Sequence, residues 1–209
     1  MFRLLLAILI TFGSSIALAG ELSGVVDLRP PKERRSVVRY AGGDAAELGP
    51  SAPFVGVVYL TQEGLQAGSP PEEPAVIAQR GLQFHPAVLP VSIGTKVAFP
   101  NEDNTYHNVF SYSPEKRFDL GRYAKDEAPP LVTFDQAGEI RIFCEVHEHM
   151  RAIVLVLDTP YFTTTDSKGN FSLKDVPPGD YTLHVWRLNQ EGHTEPVTIG
   201  DGQIGLKIE

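Results

Sequence analysis

The sequence predicts an all-β protein made of two β-sandwiches. Short runs of β-branched and aromatic residues recur between clusters of Gly, Pro, Asn and Asp, and nothing after the first nineteen residues has helical periodicity. This pattern is typical of sandwiches with many short strands. The predicted strands are 23–28, 54–61, 82–84, 88–93, 96–100, 107–111, 118–120, 131–134, 138–144, 152–158, 162–165, 171–176, 179–187, 195–199 and 203–208.

The first nineteen residues have the three parts of a secretory signal peptide. Arg3 supplies a positive charge, residues 4–18 form an apolar core, and Ala17-Leu18-Ala19 is an Ala-x-Ala cleavage site. The core is too short for a membrane span. We therefore expect the signal peptide 1–19 to be removed, leaving a periplasmic or secreted mature chain without a membrane span.

Charge and composition limit the partners and the domain plan. The chain has 18 basic and 26 acidic residues, a net charge of -8, which disfavours a nucleic-acid partner. Its 209 residues are enough for one large or two small domains. Segments 29–53 and 63–75 are predicted loops, and a composition change near Asp158-Thr159-Pro160 predicts the main domain boundary.

Cys144 is the only cysteine, so an exported chain could form no internal disulfide. A lone thiol is a small buried side chain, a nucleophile, an intermolecular link or a metal ligand. Ile140, Ile142 and Cys144 alternate along one predicted strand and so share one face of it. The thiol is therefore expected at the end of a core-facing stripe.

A short loop after Cys144 carries further side chains that bind metals. Cys144, His147 and Met150 follow the pattern Cys-x2-His-x2-Met between two predicted strands. One Cys, two His and a weak axial Met suit copper in both of its oxidation states. The missing histidine is expected from a separate strand, and His107, 37 positions before Cys144, is placed for this role.

Three other interpretations of this loop stay open. Cys144 could be a buried side chain beside an incidental His and Met. Zinc also binds Cys and His, although a structural zinc usually recruits a stronger fourth ligand than Met. His149, two residues after His147, could replace Met150 as a ligand.

The residues quoted so far resemble the cupredoxin family, and the short ligand loop is more similar to that of amicyanin than to the longer loop of plastocyanin. The resemblance covers about the middle half of the mature chain, ending at Asp158. It implies a Greek-key β-sandwich that holds one type 1 (blue) copper. The ligands it implies are His107, Cys144, His147 and Met150.

The same resemblance assigns two further roles. Asn108 matches the residue that follows the first histidine ligand and joins the two ligand segments by hydrogen bonds. His147 is implied to have an exposed edge through which electrons pass. Glu145 and Glu148 beside it favour a redox partner with a basic docking face.

Residues 163–186 resemble the carboxypeptidase regulatory-like, or transthyretin-like, β-sandwich. A turn at 166–170 precedes the alternating Phe171 and Leu173, and a second turn follows at 177–179. The first two strands of such a module do not lie directly upstream. Segments 23–27 and 55–60, near the mature N-terminus, match them instead.

We therefore expect the cupredoxin to be inserted into a split second sandwich. In this plan, residues 20–62 supply N-terminal strands of the transthyretin-like sandwich, residues 63–158 form the copper domain, and residues 159–209 complete the second sandwich. Insertion at an exposed loop is structurally reasonable. The rival is a tandem order in which residues 21–60 supply the first strands of the cupredoxin.

The resemblance implies an exported single-electron carrier that works with redox partner proteins and is not an enzyme. Domain combinations of this kind resemble proteins labelled methylamine utilisation proteins, although no residue indicates methylamine. The alternative is a periplasmic copper-binding or delivery protein without an electron-transfer role. The chain has only two Met, one of them in the signal peptide, and so lacks the Met-rich face expected for copper delivery.

Overall fold

A computed structural model describes residues 19–28, 55–200 and 202–208, and the regular elements within them are all β-strands. The predicted loop 29–53 and all of the predicted signal peptide except Ala19 lie outside the described residues. The all-β prediction is confirmed. The strands are β1 (Gly20–Val26), β2 (Gly56–Thr61), β3 (Ala75–Val76), β4 (Ala78–Gln79), β5 (Phe84–His85), β6 (Val88–Ser92), β7 (Thr95–Ala98), β8 (His107–Ser113), β9 (Lys116–Tyr123), β10 (Leu131–Phe134), β11 (Gly138–Phe143), β12 (Arg151–Leu157), β13 (Phe162–Thr164), β14 (Asn170–Val176), β15 (Gly179–Arg187), β16 (His193–Ile199) and β17 (Gln203–Ile208).

The first sandwich packs a five-stranded sheet, in the order β6-β12-β11-β8-β9, against a three-stranded sheet, in the order β10-β7-β3. Strand β11 runs antiparallel to both of its neighbours, β12 and β8. Ile140 and Ile142 of β11 are buried while Arg141 is exposed, as the alternation predicts. These side chains join a core that also contains Cys144.

The second sandwich packs the sheet β14-β1-β17 against the sheet β13-β2-β15-β16. Strand β1 lies between β14, which is antiparallel to it, and β17, which is parallel. Strand β2 lies between β13 and β15, both antiparallel. The core between the sheets includes Leu22, Val58, Leu60, Phe171, Leu173, Leu183 and Val185.

The order of strands in the chain bears on the domain plan. Strands β1 and β2 precede the first sandwich in sequence, yet their partners come from the C-terminal part of the chain. Val25 of β1 lies opposite Lys207, and Val57 of β2 lies opposite Trp186. These pairings support an inserted arrangement, and the domain limits at 62/63 and 158/159 stay a prediction.

Strand β12 is buried on both faces because the second sandwich covers the outer face of the five-stranded sheet. Its alternate residues Ala152, Val154 and Val156 point into the first core. Ile153, Leu155 and Leu157 point the other way and, with Val88, pack against β2, β13 and β15 through Val57, Tyr59, Phe162 and Trp186. The Trp186 indole Nε1 also donates a hydrogen bond of 3.1 Å to Glu139 Oε2 on β11. An unbroken apolar run is what burial on both faces requires.

The strand prediction for 82–84 is wrong at its first two residues. The sequence predicts a strand over 82–84, whereas Gly81 and Leu82 form a turn with φ values of 60° and 56°, and the strand begins at Phe84. Left-handed backbone is uncommon for a residue with a side chain. This turn lies next to the candidate metal centre and contributes to it.

Gly169 lies in the turn before β14 at a position that excludes a side chain. Its φ is 87°, and a Cβ there would overlap the carbonyl oxygen of Val26. We expect Gly169→Ala to lower the free energy of unfolding by roughly 1–3 kcal/mol, measured by urea denaturation. Gly200→Ala, in open space, is the control, with an expected change within about 0.5 kcal/mol. Equal losses for the two variants would contradict this role of Gly169.

Candidate metal centre

The predicted ligands meet at one end of the five-stranded sheet. His107 is the first residue of β8, and Cys144 directly follows β11. Since β8 and β11 are antiparallel neighbours, the start of one lies beside the end of the other. His147 and Met150 lie in the loop that connects β11 to β12, the next strand of the same sheet.

Three donor atoms converge at this end. One nitrogen from each of His107 and His147 and the sulfur of Cys144 all lie within 4.8 Å of one another. The two Nδ1 atoms are 3.1 Å apart, and His107 Nδ1 is 3.9 Å from Cys144 Sγ. The site is therefore a His-Cys-His cluster in which both imidazoles present Nδ1 to the same space.

The Cys144 thiol is buried but surrounded by groups that stabilise its thiolate. Burial on its own raises the pKa of Cys144. The hydrogen bond with His107 and those from the backbone N–H groups of Asn108, Val146 and His147 outweigh burial, so the pKa lies below its usual value. A thiolate, not a thiol, is the form that binds a metal.

The two histidines differ in their surroundings. Burial lowers the pKa of His107, but hydrogen bonds to Cys144 and Asp103 outweigh it and raise the pKa overall. Burial and the positive field of His107 and His149 lower the pKa of His147. His107 is fully buried, whereas His147 is partly exposed. The neighbours of His107 thus favour its protonation, whereas those of His147 disfavour it.

Asn108 joins the two ligand-bearing segments, as the family resemblance predicts. Its side-chain Oδ1 accepts a hydrogen bond of 2.7 Å from the backbone N–H of Glu145. Its own backbone N–H is one of the groups that lower the pKa of Cys144. The start of β8 and the loop after β11 are therefore fixed relative to each other.

Met150 and His149 have clearly different environments. Met150 is 1% exposed and lies in the same apolar core as Cys144, and its backbone N–H donates to His147 O at 2.9 Å. His149 is exposed, and its Nε2 donates to the backbone carbonyl of Leu82 at 2.9 Å. Met150 is thus enclosed in the core that contains Cys144, whereas His149 is bonded to a different segment. The ligand roles themselves stay a prediction.

The donor set suits one copper ion. A thiolate and two imidazoles combine soft and borderline ligands, and the thioether of Met150 in the same core would add a second soft sulfur. This is the combination that copper accepts in both oxidation states. A structural zinc would be expected with a stronger donor in place of the buried Met150. The chemistry of the residues present therefore fits copper better than zinc.

Sequence reasoning missed two neighbours of the cluster. Asp103 Oδ2 lies 2.9 Å from His107 Nε2, and Arg122 Nε donates to Glu145 Oε1 at 2.7 Å. Asp103 stands four positions before His107, but this spacing alone does not predict a contact between them. The contact depends on the turn at 81–82 that holds Asp103. Arg122 lies on β9, so its approach to the ligand loop depends on sheet order.

Comparison with known proteins finds similarity over parts of the chain. Residues 150–206 match the carboxypeptidase regulatory-like domain family. This segment includes β12 of the first sandwich and most of the second, but it lacks β1 and β2, which occupy the middle of the second sandwich's two sheets. No curated protein matches.

Several solved structures of copper proteins are similar to the chain. A copper-containing nitrite reductase from Thermus scotoductus SA-01 is 26% identical, with a TM-score of 0.39, and the match covers 41% of this chain and 22% of the reductase. A reduced mutant of amicyanin is 23% identical over 48% of this chain and 98% of its own, with a TM-score of 0.38. A purple cupredoxin from Nitrosopumilus maritimus is 21% identical over 40% of this chain and 99% of its own, with a TM-score of 0.36.

Proposed function

We propose that this protein is an exported type 1 copper protein that transfers single electrons between redox partners. The observation that carries the proposal is the convergence of Cys144 Sγ with the Nδ1 atoms of His107 and His147. Met150 follows in the same loop and is buried in the same core as Cys144. Copper bound there supplies a one-electron couple between Cu(II) and Cu(I). His107, Cys144 and His147 would hold the ion as the strong ligands, and Met150 would be the weaker fourth ligand.

The chain's own residues prepare this site before a metal arrives. Asn108 fixes the two ligand segments together, and nearby backbone N–H groups favour the thiolate form of Cys144 by lowering its pKa. A donor set held in one arrangement changes little between oxidation states, which favours fast electron transfer. Four protein ligands also leave no open position for a substrate, which supports a carrier rather than an enzyme.

His147 is the proposed route for electrons. It is partly exposed, and the residues next to the two histidines, Val146 and Tyr106, expose 38% and 58% of their surface. This gives the metal end an apolar rim of the kind that transient docking uses.

The charges around the rim are partly compensated. Glu145 is paired with Arg122, and Glu102 lies 3.6 Å from Arg80. Glu148 is exposed in the same loop. We propose a redox partner that docks mainly on the apolar rim, with Glu148 as the acidic group that favours a basic partner surface.

Export is proposed from the sequence. The signal-like residues 1–19 and the lone Cys144, protected as a metal ligand, suit a chain that folds in an oxidising compartment. Within the described residues, no helix is long and apolar enough to cross a membrane.

The test is to add Cu(II) to the purified mature protein. We expect binding of one copper per chain, an intense visible absorption from thiolate-to-copper charge transfer, and a reversible one-electron wave in voltammetry. Cys144→Ser is expected to abolish the absorption, because no other thiolate is present in the chain.

His149→Ala is the matched control in the same loop. It is expected to keep the absorption because His149 bonds to Leu82 rather than to the cluster. An absorption that is absent from the unsubstituted protein, that survives Cys144→Ser, or that is lost in His149→Ala would contradict the proposed ligand set.

A further inference from the structure

We propose that Asp103 is a positioning residue that fixes His107 as an Nδ1 ligand and lowers the reduction potential of the copper. We also propose that His149 supports it through the Gly81–Leu82 turn. This inference rests on the proposed copper site and extends it to residues that do not touch the metal. Its basis is a chain of hydrogen bonds that links both ligand-bearing segments to a third part of the fold.

The Asp103 carboxylate is held from three sides. Its Oδ1 accepts a hydrogen bond of 2.7 Å from the backbone N–H of Gly81, and its Oδ2 accepts one of 2.9 Å from that of Leu82. The same Oδ2 lies 2.9 Å from His107 Nε2, and the Asp103 side chain is only 15% exposed. The carboxylate therefore has a fixed position beside the buried imidazole.

This contact determines which nitrogen of His107 is free. An ionised carboxylate only accepts hydrogen bonds, so Nε2 must carry the proton and donate it to Asp103. Nδ1, which faces Cys144 and His147, is then the atom available to a metal. A carboxylate on the far nitrogen also makes an imidazole a stronger ligand and holds its ring orientation.

The charge of Asp103 affects the two copper states unequally. Cu(II) with the Cys144 thiolate carries one net positive charge, whereas Cu(I) with the same thiolate carries none. A fixed negative charge next to His107 therefore stabilises Cu(II) more than Cu(I). The low exposure of Asp103 limits screening by solvent, so the effect on the potential is retained.

The turn at Gly81 and Leu82 is suited to hold a carboxylate. Both residues have left-handed φ values, 60° and 56°, and their successive N–H groups point to Asp103. Such consecutive N–H groups form an anion-binding concavity. The left-handed conformation is unfavourable for Leu82, so it needs support from its surroundings.

His149 supplies that support from the ligand loop. Its Nε2 donates to the carbonyl oxygen of Leu82 at 2.9 Å, so the loop that carries Cys144 and His147 is tied to the turn that holds Asp103. The network thus runs from the ligand loop through Leu82 and Asp103 to His107. His149 acts on the site through this network rather than as a ligand.

The decisive variant is Asp103→Asn, with Glu102→Gln as the matched control. Both remove one negative charge, from neighbouring residues, but Glu102 is paired with the exposed Arg80, whereas Asp103 is bonded to His107. We expect Asp103→Asn to keep the visible copper absorption and to weaken Cu(II) binding about 10–100-fold, with a smaller change for Cu(I). A tenfold difference between the two states would raise the potential by about 59 mV.

Spectroelectrochemistry measures the potential, and competition with chelators measures the two affinities. Glu102→Gln is expected to give less than a third of the shift caused by Asp103→Asn. His149→Ala should shift the potential in the same direction by a smaller amount, and His149→Gln, which keeps a donor for Leu82, should restore part of it. Equal shifts for Asp103→Asn and Glu102→Gln would overturn the role of Asp103, and an unchanged potential in His149→Ala would overturn that of His149.

Failure of this inference is distinguishable from failure of the proposed function. If the unsubstituted protein shows no copper absorption, the copper proposal fails, and the position of the His107 proton is then tested in the zinc(II)-loaded protein by nitrogen-15 NMR. A slowly exchanging Nε2 proton that is lost in Asp103→Asn and kept in Glu102→Gln supports the positioning role. A proton on Nδ1, or no difference between the two variants, would overturn the positioning role of Asp103. This holds even if Asp103→Asn lowers the stability of the fold.

Discussion

Replacing Leu22 with Ala is expected to lower the free energy of unfolding by about 2–5 kcal/mol, the usual loss when a buried leucine leaves a cavity. Leu22 is fully buried between the two sheets of the second sandwich, in one core with Leu173 and Leu183. Strand β1 therefore stabilises a unit whose other strands lie mostly in the C-terminal part of the chain. Urea denaturation followed by fluorescence of Trp186, the only tryptophan, measures the change.

Val25→Ala provides the control for this prediction on the same strand. Val25 is 43% exposed, so its replacement is expected to change the free energy of unfolding by less than about 0.5 kcal/mol. If Leu22→Ala lowered stability no more than Val25→Ala, β1 would not be part of the second core. The tandem order of domains would then regain support.

Much of the fold follows from local patterns in the sequence. The alternation of Phe171 and Leu173, and of Ile140 and Ile142, predicts which side of β14 and of β11 faces a core, and the structure buries all four side chains. Alternation is a property of a single strand and needs no knowledge of its neighbours. It therefore predicts faces more reliably than it predicts partners.

The contact between the two sandwiches was not predicted, because it depends on how two finished sheets fit. Residues 153–157 are an unbroken apolar run, which the sequence places before a domain boundary. Only the structure shows that alternate members of this run cover Val57 and Trp186, which lie far away in the chain. A pattern within one strand does not specify the surface that buries its second face.

The candidate metal centre also has one part that the sequence predicts and one part that it does not. The spacing of Cys144, His147 and Met150 predicts one short loop, and β8 beside β11 brings His107 to it. The contact of Asp103 with His107 is not predictable from the sequence. The position of Asp103 depends on a turn at 81–82, in which a leucine adopts left-handed backbone. The candidate ligands of one loop are visible as spacing in the sequence, whereas this contact depends on a turn in a separate segment.

Leu155→Asp is expected to uncouple the unfolding of the two sandwiches. Leu155 is 6% exposed on the face of β12 that packs against the second sandwich. We expect the free energy of unfolding to fall by about 2–5 kcal/mol from removal of the buried leucine. A buried carboxylate without a partner adds a desolvation cost to this loss. Trp186 fluorescence and far-UV circular dichroism measure whether the transitions separate.

In the unsubstituted protein the two probes should report one transition, since an apolar interface and the bond between Trp186 and Glu139 join the sandwiches. Leu131→Asp makes the same chemical change on an exposed residue of β10, 56% accessible, and should leave the transitions coincident. Coincident transitions in Leu155→Asp at an unchanged midpoint would show that the apolar face of β12 does not couple the two units. Separate transitions would show that the apolar face of β12 couples the second sandwich to the sheet that carries His107 and leads to Cys144.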